Sequence, residues 1–129
     1  MIRLLVLDVD GTMTDGGVYY DSAGNELKKF AIKDGAGIVL ARAAGMQVMH
    51  SLTKQDVAYC GDDLNDLTAM ALCGFVACPA DAAGPVLGRA DFICRQKGGE
   101  GAVRGTVEEI LLRDGRLPAA VKKAFGAKI

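Results

Sequence analysis

Apolar residues along this chain come in short runs that alternate with stretches of helical periodicity. Ile2 to Leu7 is continuously apolar after Arg3, the pattern of a strand buried on both faces. VYYDSAGNELKKF (18–30) sets two apolar segments, Val18 to Tyr20 and Leu27 to Phe30, either side of the turn-rich DSAGN, which predicts a β-hairpin. From Gly35, AGIVLARAAG has apolar residues at helical spacing and stops at Gly45, a residue suited to the position just past a helix end. MQVM (46–49) and VAYC (57–60) read as core strands. DLNDLTAMALCG predicts a helix opened by Asp62 or Asp63, and FVACP a further strand. Residues 81–88 read as a short helix or turn, and DFIC (91–94) as a last strand. In GAVRGTVEEILLRDG, Val103, Val107, Ile110 and Leu111 fall on one helical face. The tail GRLPAAVKKAFGAKI is expected to be loosely held. Strands alternating with helices predict an α/β sandwich with a mainly parallel sheet.

Composition narrows the function classes. At 129 residues, 50% hydrophobic and 24% charged, the chain is expected to form one domain, 1–129, around a single core. Its net charge of −1 and scattered Lys and Arg lack the basic footprint of a nucleic-acid binder. MIRLLVLDVD has too few apolar residues before Asp8 for a signal segment, and no later stretch approaches a membrane span, so a cytoplasmic protein is expected. Cys60, Cys73, Cys78 and Cys94 form no CxxC and no His/Cys cluster, and read as buried or idle thiols.

The chemistry lies in the acids. Asp8 and Asp10 stand where the first strand should end, and CGDDLND follows the apolar VAYC. Ligands of such sheets bind outside the carboxyl ends of the strands, so the two acidic segments should converge at one edge. A lone strand-end Asp is usually a cap or turn former, but four or five crowded carboxylates repel one another and take up protons unless a cation holds them. Oxygen ligands alone suit Mg2+, which prefers one or two carboxylates, retained waters and a substrate phosphate. Phosphoryl transfer needs an in-line nucleophile and an acid at the departing alcohol, roles that Asp8 and Asp10 fit.

DVDGTMTD resembles the DxDGT motif of the haloacid dehalogenase (HAD) superfamily, and GDDLND resembles its fourth motif. TDGGVYYDSAGNELKKFAIKDGAGI and RQKGGEGAVRGTVEEILLRDG are similar to the hairpin, following helix and glycine-rich tail of its capless phosphatases, those of the 3-deoxy-D-manno-octulosonate 8-phosphate (KDO 8-phosphate) phosphatase type. The resemblance covers about residues 2–115. It implies a Rossmann-like, HAD-like three-layer sandwich with a protruding hairpin and no cap domain. It also implies a homotetramer in which hairpins of different subunits build a central barrel. The activity implied is Mg2+-dependent hydrolysis of a small phosphorylated sugar acid. Carried over residue by residue, Asp8 matches the nucleophile and a Mg2+ ligand. Asp10 matches the acid/base, whose main-chain carbonyl also binds metal, and Asp62 the third protein ligand. Lys33, Asp34, Gly35 and Asn65, with Asp10, match positions that touch substrate. For Lys33 and Asp34 the alternative is a surface ion pair and an N-cap before the Gly35 helix. Asp63 and Asp66 read as acids that support or cap rather than ligate.

The sequence then departs from the family. HAD phosphatases carry a Ser or Thr at the end of the second core strand and a Lys before the strand of the fourth motif. Here only His50 to Asp56 separate MQVM from VAYC. A parallel crossover needs about a dozen residues or more. Either the fold is rearranged near residue 50, or the chain carries an internal deletion. SLTKQDVAYCGDD resembles the approach to the fourth motif, so Thr53 and Lys54 belong there rather than replacing the lost hydroxyl and lysine. The alternative is that Ser51, Thr53 and Lys54 substitute for them if the short loop lies over Asp8, and His50 reads as a loop residue. Two functions stay open: a Mg2+-dependent phosphatase, or a catalytically impaired relative that keeps the fold and oligomer.

Overall fold

The structure, a computed structural model, describes residues 1–46 and 52–129. Four strands form one parallel sheet: β1 (Leu4–Leu7), β4 (Val57–Cys60), β5 (Phe75–Cys78) and β6 (Phe92–Ile93), side by side in that order. β2 (Tyr19–Tyr20) and β3 (Glu26–Leu27) form a separate antiparallel hairpin, with Tyr19 opposite Leu27. The helices are α1 (Ile32–Ala43), α2 (Leu67–Met70), α3 (Gly84–Arg89), α4 (Ala102–Arg113) and α5 (Leu117–Phe125). Strand periodicity divides the core. Ala58, Cys60, Phe75 and Ala77 face Leu40, Ala41, Val107, Ile110 and Leu111 of α1 and α4. Val57, Tyr59, Val76 and Cys78 face Met70 of α2 and Val86 of α3. Alternate residues of a strand point to opposite faces, so helices on both sides make the expected three-layer α/β sandwich. All four cysteines are buried and unpaired.

Several boundaries differ from the sequence reading. α1 begins at Ile32, with Ala31 as N-cap, rather than at Gly35. The helix expected over DLNDLTAMALCG is a 3₁₀ turn (Leu64–Asp66) followed by the short α2. The tail is not loose: Leu117, Ala120, Val121 and Ala124 form an apolar stripe packed on the core, and Ala120 is buried. Pro118 in the first turn and Gly126, left-handed just past the end, bound this helix. Of the expected strand over 46–49, Met46 is buried while 47–49 lie outside the described residues, as do His50 and Ser51.

Candidate active site

Parallel pairing of β1 with β4 sets Leu7 opposite Cys60, so the residues that follow them leave the sheet together. Asp8 and Asp62 therefore emerge side by side, and the Asp8 N–H donates to the Cys60 carbonyl at 2.9 Å. Asp8, Asp62 and Asp66 each offer a carboxylate oxygen within 4.8 Å of the others. Gly11 makes the first loop fit beneath Asp62. Its φ of +88° is left-handed, and a Cβ there would strike the Asp62 carboxylate. Buried Thr12 donates its hydroxyl to Asp62 Oδ1 at 3.2 Å. The glycine-rich RQKGGEG segment braces the same loop, backbone against backbone. A Cβ on Gly98 would strike the Gly11 carbonyl, the Gly99 N–H donates to the Thr12 carbonyl, and the Gly98 N–H donates to Asp81.

Crowding sets the electrostatics. Burial raises the Asp8 carboxyl above its usual range. Burial and the adjacent Asp8 push Asp62 up to about 7. Two neighbouring carboxyls that share a proton offer an all-oxygen donor set, which a hard divalent cation would hold in the proton's place. The residues present thus fit Mg2+. The folded-state value for Asp62 lies above the usual carboxylate range, so its proton stabilises the metal-free fold at low pH, and that contribution is lost as pH rises through about 7. Mg2+ must displace this proton, so calorimetry is expected to find Mg2+ affinity about tenfold weaker at pH 6 than at pH 8. Equal affinities at the two pH values would show that Asp62 does not hold the displaced proton.

Asp10 is exposed on the loop after β1, and its Oδ1 accepts from Lys28 Nζ of the hairpin at 2.5 Å. Asn65 is exposed in the 3₁₀ turn beside Asp66. Lys33 and Gly35 are exposed in the first turn of α1, and the Lys33 side chain lies against Gly101. Asp34 is only 3% exposed, so it is neither a surface ion-pair partner nor the N-cap of its own helix. Its Oδ1 accepts from the Arg104 N–H at 3.0 Å and caps α4, whose own N-cap, Gly101, has no side chain to do so. Burial pushes the Asp34 carboxyl up.

Thr53 and Lys54 do not lie over Asp8. They precede β4, at the sheet edge opposite the acids, about 13 Å away along a four-residue strand. Thr53 is bonded to Asp56, and Lys54 Nζ donates to the Ala71 carbonyl. Reasoning from sequence missed Thr12, Lys28 and Tyr59. The hydroxyl inside DVDGT was a signal for Thr12, but the other two contacts depend on how distant segments meet.

No family profile matches the chain. It is 34% identical over 158 residues to 3-deoxy-D-manno-octulosonate 8-phosphate phosphatase KdsC of Escherichia coli K12, covering 92% of this chain and 84% of that protein. That share of 129 residues is about 119, so about forty of the 158 aligned positions have no counterpart here. A HAD superfamily (subfamily III A) hydrolase from Legionella pneumophila superposes with a TM-score of 0.90 at 29% identity, covering 98% of this chain and 91% of the other. The 3-deoxy-D-manno-octulosonate 8-phosphate phosphatase of Moraxella catarrhalis, solved with a magnesium ion, phosphate and KDO, superposes with a TM-score of 0.82 at 26% identity, covering 93% and 91%. With two acidic strand ends meeting over a parallel sheet, and relatives of this identity and coverage, the chain belongs to the KDO 8-phosphate phosphatase family of the HAD superfamily.

Proposed function

We propose that this chain is a Mg2+-dependent phosphomonoester hydrolase acting on KDO 8-phosphate through an aspartyl phosphate on Asp8. The observation that carries the reading is the meeting of Asp8, Asp62 and Asp66, with Asp10 two residues farther along the first loop. The Asp8 carboxylate attacks phosphorus, and the bond from phosphorus to the sugar oxygen breaks. Asp10 gives its proton to that departing oxygen. Water then attacks the aspartyl phosphate, Asp10 takes the water's proton, and phosphate leaves with Asp8 restored. The Asp8 and Asp62 carboxylates and the Asp10 main-chain carbonyl would hold Mg2+, which when bound supplies positive charge to the phosphoryl oxygens. Lys33, Gly35 and Asn65 are the candidates for contact with the sugar acid, while Asp34 acts from below, through α4.

A second reading, an impaired relative, is favoured by one observation. Among the described residues, the ammonium group paired with an acid of this site is Lys28 on Asp10, and no lysine or arginine pairs with Asp8 or Asp62. Losing one preorganised donor at the transferring group costs on the order of 100 to 1,000-fold in rate. Phosphate release from KDO 8-phosphate with Mg2+, compared with the same assay in chelator, decides between them. Metal-dependent release supports the phosphatase, and its absence supports the impaired relative.

The assembly belongs to the same reading. Val18, Tyr20, Leu27 and Phe30 of the hairpin are more than half exposed, and a two-stranded ribbon is marginal alone. A homotetramer would cover these side chains, each contributing roughly 1.5 to 3 kcal/mol on burial. Tyr19→Asp or Tyr20→Asp is expected to lower the mass seen by light scattering without unfolding the sheet. An unmodified chain that is already monomeric at working concentration would refute the tetramer. A cytoplasmic location suits the four buried, unpaired thiols, which a reducing compartment keeps free.

A further inference from the structure

We infer that Tyr59 is a positioning residue for the cation site, acting through Asp66 on Asp62. The inference rests on the phosphatase reading of the acidic cluster and extends it to a strand residue one layer below.

Tyr59 sits on β4 with its ring on the face that packs against α2, beside Leu67 and Met70. Its hydroxyl donates to Asp66 Oδ1 at 2.7 Å. The other oxygen of Asp66, Oδ2, accepts from the Asp62 N–H at 2.9 Å and the Asp63 N–H at 3.1 Å. Asp66 is only 3% exposed, and a carboxylate buried this deeply is stable only with donors on both oxygens. Three donors meet that need, and two of them are the backbone N–H groups of the candidate ligand Asp62 and of its neighbour Asp63. The turn after β4 is thus closed on Asp66, and the place of Asp62 follows from the place of Asp66.

Gly61 shows how tightly the parts interlock. A Cβ on it would strike both the Asp66 carboxylate and the Tyr59 ring. Asp66 Oδ2 is held from the loop side and Oδ1 by the phenol, so the two sides together fix the carboxylate against rotation about its Cβ–Cγ bond. Burial and Asp66 both push the Tyr59 hydroxyl far above its usual range, so it stays a donor at every working pH. A phenylalanine would fill the same space and leave Oδ1 without its partner. One of the three bonds that fix the carboxylate would then be gone, and the clamp on the Asp62 N–H would loosen. Partners one bond removed from a metal ligand typically change metal affinity by about 10 to 100-fold when lost.

The test is Tyr59→Phe in the full chain, with Mg2+ and Mn2+ titrated by calorimetry in the absence of substrate and melting followed in chelator. Cation affinity is expected to fall about tenfold or more, beside a drop of several degrees in the metal-free melting temperature from the donor that buried Oδ1 loses. The double variant Tyr59→Phe/Asp66→Asn is expected to bind no more weakly than Asp66→Asn alone, because both changes break one chain of contacts. Unchanged affinity in Tyr59→Phe, or losses that simply add in the double variant, would overturn the role of Tyr59 while leaving the phosphatase reading intact. An unmodified protein that binds neither cation would overturn both.

Discussion

Asp8→Asn is expected to release no phosphate from KDO 8-phosphate and to form no acid-labile phospho-enzyme. Asparagine keeps the shape of the side chain where β1 ends, so the loop, its bond to the Cys60 carbonyl and the glycine brace behind it should survive. What is lost is the anionic oxygen that bonds to phosphorus. Removing a covalent nucleophile leaves only binding and charge stabilisation, a loss on the order of 10⁴-fold or more in rate. Asp10→Asn should behave differently. A general acid and base contributes about 10² to 10⁴-fold, so this variant should form the phospho-enzyme slowly and hydrolyse it more slowly still. Rapid quench with acid-stable and acid-labile phosphate counted separately distinguishes the two. A phospho-enzyme in Asp8→Asn would move the nucleophile to another residue.

Asp62→Asn is expected to abolish Mg2+ binding in calorimetry, whereas Asp66→Asn weakens it less. The two acids differ in what already holds them. Among the described residues, the hydroxyl bond Asp62 accepts comes from Thr12, at 3.2 Å. Its remaining oxygen stands within reach of Asp8, and the proton it holds near neutrality marks the charge a cation would replace. Asp66 is already saturated by the Tyr59 hydroxyl and two backbone N–H groups, so its work is to hold the turn. An amide at position 62 removes the anionic ligand, while one at 66 leaves both anionic ligands and disturbs only their placing. Equal losses in the two variants would show that Asp66 ligates directly.

The convergence of the acids was legible because it depends on rules that act locally. Continuous apolar runs identify buried parallel strands, and in parallel units every strand delivers the residues after it to the same edge. DVDGT and GDDLND could therefore be brought together before any contact was known. The reach of the tail helix was less legible, because a short helix at a chain end is marginal by itself and holds only once Ala120 has a core to enter. Thr53 and Lys54 have the right chemistry for the missing hydroxyl and lysine. Their place in the approach to VAYC, before β4 rather than after it, was legible in the chain, and the structure adds that their side chains are engaged there, with Asp56 and the Ala71 carbonyl.

By itself the sequence determined the parallel α/β architecture, the two acid-bearing strand ends and the all-oxygen character of the site. Only the tertiary structure decided which work each carboxylate can do. Asp34 looks like Asp62 in the chain, yet it is buried on the backbone of a helix 70 residues away, while Asp62 stays available to a ligand. Lys28 meets Asp10 only because the hairpin folds back over the first loop. The physical reason is that burial and the number of donors already bound set the protonation and freedom of a carboxylate, and both are supplied by residues distant in the chain.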